Sequence, residues 1–452
     1  MKASTTRISY ALPEEVAEVI SRLEEDGKEA YVVGGAVRDI LMGKKPDDYD
    51  VTTSATPHEV AALFGQENCH PTGIAHGTVT VVINGMPVEV TTFRIDGDYE
   101  DGRHPNEVHF TRSLEEDVKR RDFTINALAM RLDGTVLDYC GGIEDIRNKC
   151  LRTVGEPSRR FREDALRILR ALRFASERGF SIEKETSEEI FRRKNDLCSL
   201  SVERIWKEFS RLMLGSHCVP ILREYFDVVD AILPEIVPMR GFLQHNPHHI
   251  YDVWEHTLVS IEHIPATPVL RMTMLLHDIG KPECFVMDDS GIGHFYGHQK
   301  VSADIADAIL RRWKVDTKTR ETIVLLIREH DAVLEPSLRI VRRRLLRYGE
   351  EVLRMLLEVK KADISAHSEK SAYRLPEISA FETILDQVVE EKMCCSYSAM
   401  AINGNDLMRM GIEPGIRIGQ LKKQLLEEVV DGRIPNEREA LLKRALELKE
   451  EM

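Results

Sequence analysis

At 452 residues the chain exceeds what one hydrophobic core usually serves, so roughly two to four packed units in series are expected. No stretch approaches the roughly 20 apolar residues of a membrane helix, and the opening MKASTTRISYALPEEV lacks the apolar run of a secretory signal, so a cytoplasmic protein without a membrane partner is expected. A net charge of −14 excludes a uniformly basic phosphate-binding surface, and eight cysteines without a C-x-x-C pair read as reduced thiols.

The N-terminal part mixes strand and helix signals and reads as α/β. An amphipathic helix is predicted from about Pro13 to Asp26, an apolar strand over Ala30–Val33, and a hairpin of Thr78–Ile83 and Pro87–Phe93 turning at Asn84-Gly85. Tyr31–Thr53 reads YVVGGAVRDILMGKKPDDYDVTT: a strand, a Gly-Gly turn, a helix carrying Arg38 and Asp39, and a second strand bearing Asp48-Tyr49-Asp50. Side chains alternate along a strand, so Asp48 and Asp50 are expected on one face with Tyr49 on the other. Two adjacent carboxylates suit a hard divalent cation that assists phosphoryl transfer. Gly34 and Gly35 let backbone amides approach phosphate oxygens. Either feature alone is common by chance; together in one short segment they point to one chemistry.

From about Ser158 onward the pattern becomes helical, with apolar residues three and four apart in DALRILRALRFA and VERIWKEFSRLM. Between Arg147 and Arg178 there are ten basic residues against four acidic ones, and a second basic run spans Arg339–Arg347; both fit phosphate binding, or else solvated helix faces. A Pro/Gly/His-rich stretch from Pro234 to His249 and a polar passage near Ser365–Pro376 mark boundaries. Nine of the sixteen histidines fall between His245 and Asp331.

The motifs GGAVRD…DYD, HGTVTVVI…VEVTTFR, RRDFTINALA (Arg120–Ala129) and EDALRILRALRFA (Glu163–Ala175) resemble the class II tRNA nucleotidyltransferase and bacterial poly(A) polymerase family, in the family's order. The resemblance implies a polymerase beta-like mixed-sheet head followed by all-α neck, further helical and tail domains. It implies that Asp48 and Asp50 hold catalytic Mg2+, that Gly34, Gly35 and Arg38 contact the triphosphate, and that Arg121, Asp122 and Asn126 meet phosphate and ribose. Arg170 and Arg173 are placed with the nucleotide as well. Glu89, on the strand after Asn84-Gly85, is a candidate third carboxylate because it can lie across the sheet from the Asp pair.

Asp164 and Arg167 are three apart and are expected on one helix face. A carboxylate only accepts and a guanidinium only donates. Together they complement the amine and ring nitrogen that cytosine and adenine share, whereas uracil and guanine set a carbonyl against the carboxylate. The expected function is addition of CMP and AMP, from CTP and ATP, to tRNA 3′ ends, with no role for DNA. CC-adding members of the family lack part of a flexible segment that here, Arg94–Lys119, looks full length. An A-adding enzyme or a poly(A) polymerase is the alternative.

The series YDVWEHTL, MLLHDIGKP, HFYGHQKVSADIA, IREHD and KADISAH resembles the HD phosphohydrolase superfamily. That resemblance implies His256, His277, Asp278 and Asp363 as ligands of Ni2+, Mn2+, Co2+ or Mg2+, with His298 and His330 as extra ligands or substrate contacts. An alternative of another class is then an HD phosphohydrolase with a head that only binds RNA. The tail, including Ala401–Ile412, is assigned to tRNA docking. The domains expected are a head over 1–152, a neck over 153–240, an HD domain over 241–370 and a tail over 371–452.

Overall fold

The computed structural model describes residues 3–74, 77–96 and 108–451; the middle of the Arg94–Lys119 segment lies outside them. The chain divides into two compact units, Met1–Pro234 and Glu235–Met452. All eight cysteines are free thiols, and among the described residues no helix is long and apolar enough to cross a membrane.

The first unit carries β1 (Ser4–Arg7), β2 (Ala30–Val33), β3 (Asp50–Thr53), β4 (Cys69–Gly73), β5 (Thr78–Ile83), β6 (Met86–Thr92), β7 (Arg94–Asp96), β8 (Val108–Phe110), β9 (Leu128–Met130) and β10 (Thr135–Asp138). Eight of these form one sheet in the order β1-β10-β9-β2-β3-β6-β5-β4. The β3–β6 pair is parallel and the others are antiparallel, so the sheet is mixed. The apolar stripe Val16, Val19, Ile20 and Leu23 of helix Glu14–Glu25 is fully buried in its core. The β5–β6 hairpin turns where expected, because Asn84 (φ 49°) and Gly85 (φ 83°) both take the left-handed conformation that a two-residue hairpin turn requires.

One strand is shorter than its sequence suggests. β3 starts at Asp50, opposite Val33, so Asp48 and Tyr49 precede it. The reason is β2, which ends at Val33 because Gly34 (φ 71°, ψ −132°) turns the chain away and leaves earlier residues no partner. The alternation nevertheless persists: Tyr49 is buried, its hydroxyl 2.7 Å from that of Tyr10, while Asp48 and Asp50 are exposed.

Behind the sheet, the carboxylate of Asp138 accepts the backbone N–H groups of Cys140, Gly141, Gly142 and Ile143 at 2.8–3.1 Å and so starts helix Gly142–Arg147. This helix supports the Thr124–Asn126 turn. A Cβ on Gly142 would stand 2.1 Å from the Thr124 carbonyl oxygen, and the Thr124 hydroxyl donates to Asp145 at 2.5 Å.

Helices Pro157–Glu163, Leu166–Arg178, Lys184–Arg193 and Val202–Leu214 complete most of the rest of this unit. The expected single helix through Asp164 is broken. Asp164 is extended (φ −152°, ψ 107°), and its carboxylate accepts from the Leu166 N–H at 3.0 Å, starting a new helix rather than continuing the old one.

The second unit is helical apart from a short hairpin, Phe285–Met287 with Gly293–Phe295. Its longest helix, Leu338–Ser365, is kinked at Gly349 (φ 75°, ψ 166°). The basic run at its start is largely committed to carboxylates: Arg339 and Arg343 converge with Arg433 on Asp431 at 2.5–3.1 Å, and Arg344 and Arg347 reach Glu329 at 3.6 and 3.0 Å. This run ties helices together more than it offers charge to phosphate.

Replacing Asp138 by alanine leaves several N–H groups without an acceptor and is expected to cost roughly 2–4 kcal/mol, with Asn recovering part of it. Urea unfolding of the two variants beside the parent checks this; equal midpoints for Ala and parent would contradict the cap.

Candidate functional site

In the first unit the edge that matters is the one formed by strand ends, where β2 stops and the central strand β3 starts, and the turn at Gly34 decides who can meet there. Its conformation (φ 71°, ψ −132°) is one that favours glycine, and a Cβ there would stand 3.1 Å from a terminal nitrogen of Arg121 and 3.9 Å from an oxygen of Asp50, so both side chains border this turn. On the neighbouring parallel strand Glu89 stands directly opposite Asp50 in register, as expected for a third carboxylate. The surrounding protein disfavours charge on Asp50 and raises its carboxyl above the usual range; Arg121 opposes this, while Glu89 and Asp48 add to the rise. An aspartate whose ionisation two neighbouring carboxylates oppose fits a divalent cation, which would relieve the repulsion.

Around this edge the other candidates form a connected chain. Arg38 donates to Asn126 Oδ1 at 2.7 Å and to Asp39 at 3.0 Å; Asn126 donates to Asp122 Oδ1 at 3.2 Å. Asp122 Oδ2 accepts two hydrogen bonds from Arg170, at 2.8 and 2.6 Å. Burial works against ionisation of Asp122, but Arg170, Arg167 and Asn126 outweigh it and hold the carboxyl at about 2. Arg173 sits apart, buried between Glu208 at 3.0 Å and the Phe174 ring; this places it as a core ion pair of the neck rather than on the open edge. Sequence reasoning missed Asp117, whose fully buried carboxylate lies 2.9 Å from Arg120 and 3.6 Å from Arg121 and aims the latter. Its only signal is its place four residues before Arg121.

Asp164 and Arg167 do not project side by side from one continuous helix. Asp164 accepts from Arg204 at 2.8 Å, and Arg167 donates to Glu163 at 2.6 Å and to the Arg160 carbonyl at 3.1 Å. Arg204 and Glu163 are thus the partners that hold the two side chains; Glu163 opens the EDALRILRALRFA motif, whereas nothing in the sequence marks Arg204.

In the second unit, helices Val253–Glu262, Pro268–Leu276 and Leu338–Ser365 bring His256, His277, Asp278 and Asp363 together, all within coordinating reach of one another. His298 and His330 join Asp278 in a second cluster. Asp278 Oδ2 lies 3.4 and 3.2 Å from the Nε2 atoms of His256 and His277, and Oδ1 lies 3.3 and 3.7 Å from those of His298 and His330. Each of the four rings turns Nδ1 to a backbone carbonyl: Ala366 (3.3 Å), Met274 (2.7 Å), Phe295 (2.8 Å) and Ile327 (2.6 Å) respectively. A carbonyl can only accept, so Nδ1 of each ring carries a proton and Nε2 is the atom turned to the centre.

His277 Nε2 and both Asp278 oxygens are buried without a hydrogen-bond partner, although Lys281 Nζ approaches Oδ2 at 2.7 Å as an ion pair. Burial opposes protonation of His277, yet Asp278 and Asp363 push it up to about 10. The centre therefore demands positive charge, which a divalent ion would supply.

Residues 30–152 match the Poly A polymerase head domain, 179–239 a probable RNA and SrmB-binding site of polymerase A, and 294–445 a putative second domain of tRNA nucleotidyltransferases. The CCA-adding enzyme of Bacillus cytotoxicus is 35% identical over 432 residues, covering 94% of this chain and 95% of its own; that of Bacillus cereus is 34% identical over 434 residues, covering 94% and 96%. The crystal structure of the Bacillus stearothermophilus CCA-adding enzyme in complex with CTP superposes with a TM-score of 0.71 at 30% identity, over 97% of both chains. A Thermotoga maritima CCA-adding enzyme complexed with tRNA shares the fold, with a TM-score of 0.57 at 20% identity over 99% of both chains. Likeness at this level along nearly the whole of both sequences is family membership: the chain belongs to the class II CCA-adding enzymes and is a nucleotidyltransferase.

Proposed function

We propose that the first unit adds CMP and AMP, from CTP and ATP, to the 3′ end of tRNA without a nucleic-acid template, releasing pyrophosphate. The observation that carries this is the register of Asp50 against Glu89, with Asp48 beside them and Arg121 facing them across Gly34. Asp48, Asp50 and Glu89 would hold Mg2+, which when bound activates an attacking hydroxyl and neutralises charge on the departing pyrophosphate. Arg121 is the cation turned toward that edge and meets the triphosphate. Arg38, Asn126, Asp122 and Arg170 form a rigid wall against which phosphate and ribose are placed, since each already has its geometry set by the next.

Asp164 and Arg167 read the base edge: Asp164 accepts from the exocyclic amine and Arg167 donates to the ring nitrogen. Arg204 and Glu163 hold them when no base is there. A uracil or guanine carbonyl opposite Asp164 would cost about 1–3 kcal/mol, which sets the preference for C and A. The helical tail, including Ala401–Ile412, serves tRNA docking.

For the second unit we propose an HD-type phosphohydrolase acting on 2′,3′-cyclic phosphates or phosphates at damaged tRNA ends, leaving a 3′ hydroxyl for the first unit. What supports it is the shared Asp278, whose two oxygens each face a separate pair of imidazole Nε2 atoms. This suits two divalent ions of Ni2+, Mn2+, Co2+ or Mg2+, held by His256, His277, Asp363 and Asp278 on one side and by His298, His330 and Asp278 on the other. Such ions when bound acidify water for attack on phosphorus.

Asp48→Asn or Asp50→Asn is expected to lower nucleotide incorporation by roughly a hundredfold or more with unchanged circular dichroism. The assay presents tRNAs ending in the discriminator base, C or CC to each nucleoside triphosphate separately. Extension by CTP then ATP, with no long A tail, distinguishes this function from A-adding and poly(A) activity. In the same assay Asp164→Ala or Arg167→Ala should raise use of UTP and GTP relative to CTP and ATP by about tenfold; unchanged discrimination in both would remove the base-reading role.

His277→Ala should eliminate phosphate release from 2′,3′-cyclic AMP while addition to intact tRNA persists. If no metal supports hydrolysis by the unmutated protein, the second unit is not a phosphohydrolase.

A further inference from the structure

A cavity of about 450 Å³ opens above the histidine centre, with Asp278, His298, His330 and Asp363 among its floor residues and Tyr296, Tyr373 and Arg374 in its wall. The tyrosines are unusual for their size: Tyr296 is 75% exposed and Tyr373 64% exposed. Large aromatic rings left in water beside a polar cavity call for a partner more than for a packing explanation.

Tyr296 is also held in place. Its ring lies parallel to that of His294 (5.3 Å between centres, 7° between planes). His294 in turn bonds Asp288 at 2.8 Å, and Asp288 accepts the N–H groups of Ser290 and Ile292 at 2.9 and 3.0 Å, closing the hairpin loop. One face of the tyrosine is thus backed by an imidazole while most of the ring stays open, and the loop beneath it is already fixed. Arg374 makes no ion pair with a described residue and supplies positive charge at the same mouth. The volume falls in the range of small-ligand pockets, roughly 300–1,000 Å³, enough for one nucleotide.

We infer that Tyr296 and Tyr373 form a nucleobase-stacking lip, so that the second unit takes the 3′-terminal nucleotide of an RNA, with its base on the tyrosines and its phosphate toward Arg374 and the histidine centre. An aromatic platform accepts any base by its π-face. Recognition is then of a nucleotide end rather than of a phosphoester as such, and tolerates different terminal bases. This rests on the phosphohydrolase reading for its chemistry but not for its binding.

The test uses the full-length protein with manganese and measures equilibrium binding of adenosine 3′-monophosphate and of base-free ribose 3-phosphate, alongside hydrolysis of adenosine 2′,3′-cyclic phosphate. The parent is expected to bind the nucleotide at least about tenfold more tightly than the base-free ester. The double variant Tyr296→Ala/Tyr373→Ala should lose that difference, and Tyr296→Phe/Tyr373→Phe should keep it. Equal binding of the two ligands by the parent, or an unchanged preference in the alanine variant, overturns the stacking lip even if hydrolysis is robust. Conversely, a lip-dependent preference without hydrolysis under any metal upholds the lip and removes the phosphohydrolase.

Discussion

Asp122 is a buried carboxylate kept ionised by Arg170, and on that pair the arrangement of the first unit turns. Asp122 belongs to the segment that leads back into the sheet through β9, and Arg170 belongs to the neck helix Leu166–Arg178. Removing one partner of such a pair leaves an uncompensated charge and costs about 3–5 kcal/mol. The pair therefore fixes the neck helix against the sheet edge that carries Asp48, Asp50 and Glu89. Through Asn126 the same carboxylate also positions Arg38. The Asp50–Glu89 cluster, Arg38 and the neck helix are thus tied into one frame by a single ionised carboxylate.

The two candidate metal centres differ in ways that match their proposed chemistry. The sheet edge offers exposed oxygens, which suit a hard ion that arrives and leaves with a triphosphate. The centre of the second unit offers four imidazoles, pre-aimed by backbone carbonyls, and a shared buried carboxylate. That set suits resident borderline ions. Its rigidity comes from main chain rather than side chain, because each Nδ1 is anchored to a backbone carbonyl.

Where local rules act alone, sequence reading and structure agree: the apolar stripe of helix Glu14–Glu25, the Asn84-Gly85 turn, the burial of Tyr49 between two exposed aspartates, and the mixed α/β head followed by helices. Disagreements arise where a distant partner or a competing hydrogen bond decides. β3 is short because β2 has ended, which its own residues cannot announce. The helix breaks at Asp164 because a carboxylate that could sit in a helix instead caps the next one. The basic run at Arg339–Arg347 reads equally as a phosphate surface or a solvated helix face until Asp431 and Glu329, far along the chain or on another helix, are seen beneath it. His298 and His330 were undecided in sequence because imidazole spacing along the chain says nothing about which ring faces which oxygen.

The kink at Gly349 sits where few residues but glycine are tolerated. Before it, Leu346 packs on the tail core and Arg339 and Arg343 hold Asp431, while Val341 on the same half is buried in the neighbouring core; after it, Leu353, Leu357 and Ile364 line that same neighbouring core and Asp363 reaches the histidine centre. In an uninterrupted helix each inserted residue rotates everything beyond it by about 100°. The break releases the two halves from one common phase, so the first can turn Leu346 to the tail core and Val341 to the neighbouring one while Asp363 on the second keeps its direction toward the histidine centre.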